Sequence, residues 1–145
     1  MERRFEIIEH PADVGFLAYG ATLAELFANA ALAMCALACG PEKIEERIER
    51  TIFSRGASVE SLLYAWLAEI LAVADGEQIA CRRVDIIYFR EPEKEKSGEA
   101  RGILFGEKFD RDRHSAGTYI KAVTLHQFQV ERVPEGFRAR VFLDL

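Results

Sequence analysis

Two stretches of this sequence carry apolar residues at helical spacing, and a helix with one apolar stripe is stable only when something covers that stripe. The clearer stretch follows Ser58, a good N-cap, and has Glu60 in its first turn, where the helix dipole favours an acid. Its stripe is Leu62, Leu63, Trp66, Leu67, Ile70 and Leu71, and it ends near Asp75-Gly76. The other stretch opens on Thr22-Leu23-Ala24-Glu25, where Thr22 and Glu25 can satisfy each other's free backbone donors. Leu23, Leu26, Phe27, Ala30, Ala31, Met34 and Leu37 line its face, and Gly40-Pro41 stops it.

What covers the stripes reads as β-strand. Residues 4–9 put Phe5 and Ile7 on one side and Glu6 on the other. His10-Pro11-Ala12-Asp13 is a turn signal, and residues 14–19 form a second strand closed by Gly20. In residues 44–54, Ile44, Ile48 and Ile52 suit a helix while Arg50-Thr51-Ile52-Phe53 suits a strand, and strand is preferred. Beyond the second helix, strands are expected at 84–89, 103–105, 119–124, 128–130 and 138–143. Residues 91–99 are too charged to pack and read as a hairpin tip, and Pro134-Glu135-Gly136 as a turn. The order is β-β-α-β, then α-β-β-β-β. The expected fold is one α+β domain over residues 1–145, with two amphipathic helices packed on antiparallel or mixed sheet. Each half contributes one helix and a few strands, so a duplicated β-α-β-β arrangement is expected, although no sequence repeat stands out.

Composition narrows the function. No apolar run is long enough to span a membrane, and no apolar segment follows Arg3-Arg4 as a signal peptide would require, so a cytoplasmic protein is expected. The net charge of −5 argues against strong nucleic-acid binding by electrostatics alone, since that needs a cluster of Lys and Arg. Residues 42–50 and 91–101 mix both signs, the pattern of a solvated face or a turn. Cys35, Cys39 and Cys81 are an odd set that does not suggest a disulfide framework. Cys35 and Cys39 would share a helix face, as half of a metal site or as two small core residues, and with no second Cys/His pair the core reading is preferred.

No phosphate-binding glycine loop, G-x-S-x-G elbow or H-E-x-x-H motif occurs, so any chemistry must come from residues gathered by the fold. In His10-Pro11-Ala12-Asp13-Val14-Gly15 a histidine and a carboxylate flank a turn. Asp13 can reach a cation there or simply cap the turn. Asp144 stands beside the carboxylate of Leu145, and two neighbouring hard oxygens suit Ca²⁺, Mg²⁺ or Mn²⁺. Lys121 and His126 lie at odd spacing on an expected strand and would point to opposite faces. His126 reads first as a satisfied structural histidine, with metal ligand or proton carrier as the alternatives. His114 falls in the charged loop Asp110-Arg111-Asp112-Arg113-His114, where a solvated role or a contact with phosphate or a protein partner is expected.

Together these residues resemble the archease family over nearly the whole length. His10-Pro11-Ala12-Asp13-Val14-Gly15 is similar to its H-T-A-D-[IV]-G turn, and Ala18-Tyr19-Gly20-Ala21-Thr22-Leu23 to its strand-to-helix step. Glu60 with Trp66-Leu67-Ala68-Glu69-Ile70-Leu71 is similar to its second helix, and Gly106-Glu107, Asp110 and Arg113-His114 to its G-E…D…R-H stretch. Ile120-Lys121-Ala122-Val123-Thr124, His126 and Asp144 resemble its close. Pro11 stands where the family has Thr, and Leu125 where it has Tyr.

The resemblance implies a duplicated arrangement of strands around two helices. It implies an accessory protein, not an enzyme, that activates the tRNA-splicing RNA ligase by promoting its guanylylation and repeated turnover. That ligase joins a 2′,3′-cyclic phosphate or 3′-phosphate end to a 5′-hydroxyl. A divalent cation, Ca²⁺ ahead of Mn²⁺ or Mg²⁺, would be held by Asp13, Asp144 and Leu145. His10, His114, Lys121 and His126 would support the site or contact the partner. The alternatives are a metal-dependent phosphoester hydrolase built on His10, Asp13, His126 and Asp144, and a chaperone-like modulator of RNA-modifying enzymes.

Overall fold

In a computed structural model of the protein, which describes residues 3–10, 13–114 and 117–145 apart from the side chains of Glu9 and His10, both helices form where their spacing places them. They are α1 (Leu23–Ala38) and α2 (Val59–Glu77). At α1, Thr22 Oγ1 accepts the Glu25 N–H at 3.1 Å, and Glu25 in turn accepts from Ala21, one residue farther back than expected. At α2 the partner of Ser58 is Ser61: each hydroxyl accepts the other's backbone N–H at 3.0 Å.

Among the described residues there are eight strands: β1 (Phe5–His10), β2 (Asp13–Gly20), β3 (Ile48–Gly56), β4 (Ile79–Arg90), β5 (Gly98–Lys108), β6 (Ala122–Val123), β7 (Gln129–Val133) and β8 (Gly136–Asp144). All paired strands are antiparallel, and they form two sheets. One runs β1-β2-β8-β6, with β7 also on β8; the other runs β3-β5-β4. One continuous core joins both, drawing Phe16, Ala139, Val141 and Leu143 from the first sheet, Ile52, Val84 and Leu104 from the second, and the stripes of both helices. The expected α+β class is therefore observed, divided between two antiparallel sheets.

The two halves share one local device. β2 enters α1 through Gly20-Ala21-Thr22, and β3 enters α2 through Gly56-Ala57-Ser58. A Cβ at Gly20 would lie 2.7 Å from Leu26 Cα, and a Cβ at Gly56 2.7 Å from Leu62 Cα. Only glycine lets strand and helix come so close. In each half the small residue, the hydroxyl cap and the buried leucine recur at the same offsets.

Three expectations change. Cys35 and Cys81 form a disulfide, with Cα atoms 5.6 Å apart, because α1 lies along β4; Cys39 is free and buried. Residue parity had pointed away from such a link. The strand expected at 119–124 shrinks to Ala122–Val123, since the preceding segment turns to α1. Gly117 and Thr118 donate to the carbonyls of Ala38 and Leu37 at 3.1 and 3.0 Å, satisfying the open end of that helix. The hairpin tip ends at residue 97, because Gly98 and Glu99 are buried in β5.

Trp66 is fully buried, its indole N–H donating to Phe27 O at 3.1 Å. Trp66→Ala is expected to cost about 3–5 kcal/mol in denaturant melts. Ser54 is the opposite case, a buried hydroxyl with no hydrogen-bond partner among the described residues. Ser54→Ala should therefore raise stability by about 1 kcal/mol, measured in the same way.

Candidate metal centre

Strand register decides which carboxylates meet. Val14 of β2 pairs with Leu143 of β8, so the ladder's next step sets Asp13 across from Asp144. Leu143 faces the core at 0% exposure, and side chains alternate along a strand, so both aspartates project from the opposite face. Asp13 Oδ1 is shut off from solvent, whereas the Asp144 side chain is exposed. Like charges directly opposite one another on neighbouring strands are destabilising, and a divalent cation shared between them removes the repulsion. The donor set is all oxygen and suits a hard cation: two carboxylates, with main-chain oxygens of Leu145 one residue further along.

The backbone at this end is held firmly. Lys121 N donates to Asp144 O at 2.8 Å, and Ala122 pairs with Asp144. Thr124 donates to Phe142 O through both its N–H and its hydroxyl, each at 3.0 Å. On the other side of β2, His10 pairs with Asp13, which places its backbone at the same sheet end; its side chain and Pro11 lie outside the described residues. His126 is not on a strand at all. It sits exposed in a turn with its ring centroid 5.5 Å from that of Phe142, so the opposite-face argument for Lys121 and His126 does not apply. Leu125 is exposed beside it. Among the described residues no three His, Cys, Asp or Glu side chains converge as a metal cluster. His126 thus does not join Asp13 and Asp144 in the ligand set that the hydrolase reading requires.

His114 departs furthest from expectation. It is 3% exposed, and the loop around it is folded inward. Its Nδ1 accepts the Asp110 N–H at 2.9 Å, which leaves Nε2 to carry the ring proton toward Glu107 Oε2, also at 2.9 Å. Glu107 is buried as well, and accepts from Glu45 N at 2.8 Å and from both ends of the Arg113 guanidinium at 2.8 and 3.2 Å. The Glu45 N–H, then Arg113 and His114, hold its carboxyl well below the ordinary 4.5, at about 2. The ring of His114 lies against Phe109 and is unavailable to a partner. Glu107 was visible in the sequence only as part of a G-E pair. Its burial follows from Arg113 and His114 closing over it, which no spacing rule announces.

A small α+β protein with paired carboxylates at one sheet end is the class that fold and site define. The Archease protein family (MTH1598/TM1083) matches residues 5–145. The chain is 37% identical over 143 residues to Protein archease of Methanosarcina mazei, covering 99% of this chain and 97% of that one. It is 38% identical over 136 residues to Protein archease of Pyrococcus furiosus, covering 92% of each. The solution structure of Methanobacterium thermoautotrophicum protein 1598 is similar with a TM-score of 0.82 at 35% identity, over 97% of this chain and 98% of that one. The crystal structure of a Thermotoga maritima archease, described as a possible chaperone, shares the fold with a TM-score of 0.59 at 18% identity, over 95% and 94% of the chains. This chain belongs to the archease family.

Glu107 makes a pH prediction. Its folded carboxyl titrates below its unfolded one, so its contribution to stability is complete above about pH 4.5 and is lost as pH falls towards about 2. Glu107→Gln should melt lower than wild type at neutral pH, and the gap should narrow across that acid window in thermal melts.

Proposed function

We propose that this archease binds a divalent cation between Asp13 and Asp144, with a main-chain oxygen of Leu145, and activates a tRNA-splicing RNA ligase. Ca²⁺ is the cation that irregular oxygen ligation suits best, with Mn²⁺ or Mg²⁺ next. The observation that carries the reading is the β2–β8 register, which sets two acidic side chains side by side at a sheet end braced by β6. Membership of the archease family supports it, and so does the description of the Thermotoga maritima relative as a possible chaperone, since a chaperone acts on a protein partner.

A bound cation would supply positive charge to a partner's phosphate or carboxylate oxygens. The chain's own residues do the positioning. Asp13 and Asp144 come from adjacent, hydrogen-bonded strands, so their separation is fixed by backbone and not by loop motion. Guanylylation demands accurate placement of nucleotide phosphates, and a helper that presents a rigid acidic end can stabilise that placement transiently and then leave. One or two carboxylates suffice for such a role, and no nucleophile is needed.

The test has two readouts. Ca²⁺ or Mn²⁺ at about a hundred times Kd should stabilise the wild type by about 2.7 kcal/mol in thermal melts, and Asp13→Asn and Asp144→Asn should each abolish most of that gain. Sub-stoichiometric wild type should convert a single round of ligase guanylylation and ligation into many, and the double variant should not. Full stimulation by a folded double variant would leave a protein–protein activator without a functional cation. Absence of stimulation by the wild type would sink the ligase assignment.

A further inference from the structure

Among the described residues no helix or strand covers the outer face of the β3-β5-β4 sheet between Glu99 and Phe105, and its side chains are arranged in an unusual order. Across the three strands lie the rows Arg90–Glu99–Arg55, Tyr88–Arg101–Phe53, Asp85–Ile103–Thr51 and Arg83–Phe105–Glu49. Arg101 lies between two rings, its guanidinium carbon 5.6 Å from the centroid of Phe53 and 5.1 Å from that of Tyr88. Arg55 lies over the outer part of Phe53 at 5.9 Å, and Arg83 covers Phe105 at 4.2 Å. Phe53 and Tyr88 are each 42% exposed, which is high for aromatic residues in mid-strand.

Two irregularities in β4 create this order. The register shifts between Cys81 and Arg83 and again between Ile86 and Tyr88, so Arg82 and Ile87 are extra residues. Without the second shift Ile87 would oppose Arg101 and Tyr88 would turn into the core. Without the first, Arg83 would not stand beside Phe105. Bulges of this kind re-aim side chains and concentrate next to functional surfaces.

We propose that this face is a stacking platform for single-stranded RNA; the choice of RNA over DNA rests on the ligase reading above. Unstacked bases pack on aromatic rings and on guanidinium planes, and the row Phe53–Arg101–Tyr88 offers all three surfaces on a rigid sheet. Beside it, Arg55, Arg90 and Arg101 surround a single carboxylate, Glu99, for an excess of two positive charges on a chain whose net charge is −5. An excess of two neutralises only about two phosphates and gives a salt slope of about −1.4, so charge alone binds weakly and stacking must supply the rest. Further along the same face Arg83 is paired with Glu46 and Asp85, so the excess is confined to the Glu99 end.

Fluorescence anisotropy with a short, unstructured, labelled RNA tests the proposal on the full chain without ligase. The RNA should bind, and should outcompete both its own duplex and the matching DNA strand. Phe53→Ala should weaken binding about tenfold or more. Arg101→Lys, which keeps the charge and loses the plane, should weaken it as well. Both variants should still fold cooperatively and keep the cation-induced stabilisation and the stimulation of guanylylation, so that failure here is distinct from failure of the ligase reading. Equal binding of duplex and single strand, or of DNA and RNA, overturns the proposal. So does a Phe53→Ala variant with unchanged affinity, or an acidic peptide that displaces the RNA from the wild type at equal concentration, which would mark the face as a protein dock.

Discussion

The hydrogen bond from the indole of Trp66 to the carbonyl of Phe27 is the junction on which the architecture depends. It is a polar contact in a largely apolar interior, and it fixes how α2 turns relative to α1. The ring continues into the second sheet, where a Cβ at Gly102 would lie only 2.5 Å from Trp66 Cη2, so β5 must pass with no side chain at that point. Phe27 in turn meets Phe89 of β4 edge-on, with centroids 5.0 Å apart. One chain of rings thus ties both helices to the β3-β5-β4 sheet. The β1-β2-β8 sheet is positioned by the Gly20 step into α1. The carboxylates at its end inherit that rigidity.

Electrostatics is organised along β5. Its outward row carries a buried glutamate near each end, Glu99 and Glu107. Burying a carboxylate is costly unless it is fully hydrogen-bonded, and both are. Glu99 accepts from Arg55 and Arg101 at 3.0 Å each, which keep its carboxyl below the usual range. Glu107 is served by a backbone N–H, Arg113 and His114. These two anchors have different consequences. The Glu107 cluster closes a loop against the protein and uses up its donors. The Glu99 cluster leaves an excess of guanidinium on an open surface. The same kind of buried acid therefore seals one end of the strand and leaves the other end charged.

Much of this was legible because it follows from local rules. The caps at Thr22 and Ser58, the stripe around Trp66 and the alternation in the last strands all express backbone preferences, and the helices and most strands fall where those rules put them. The neighbouring placement of Asp13 and Asp144 came from family resemblance, since register between strands so distant in sequence has no local signature. His114 and Glu99 were misjudged because charged runs usually face solvent, and only tertiary contacts show that these two members turn inward. The Cys35–Cys81 link was missed because an odd cysteine count argued against a disulfide, and only the packing of α1 along β4 brings the two residues together. The repeated Gly-Ala-Thr and Gly-Ala-Ser steps were readable in principle, but three residues repeated once do not rise above chance until the structure shows that they do the same work.

The position of β8 has a consequence for how the chain is made. This strand lies between β2 on one side and β6 and β7 on the other, yet it is synthesised after all three. Until it emerges, β2 can pair only with β1 and presents a bare edge, and that sheet cannot close over α1. Closing a loop that spans nearly the whole chain is entropically slow, and an unpaired edge is open to foreign strands in the meantime. A nascent chain on the ribosome therefore carries its first hairpin, and the side of α1 that this sheet covers, in a provisional state. The final segment completes the sheet and, in the same step, brings Asp144 to Asp13. The acidic site forms only in molecules whose translation has run through the last strand.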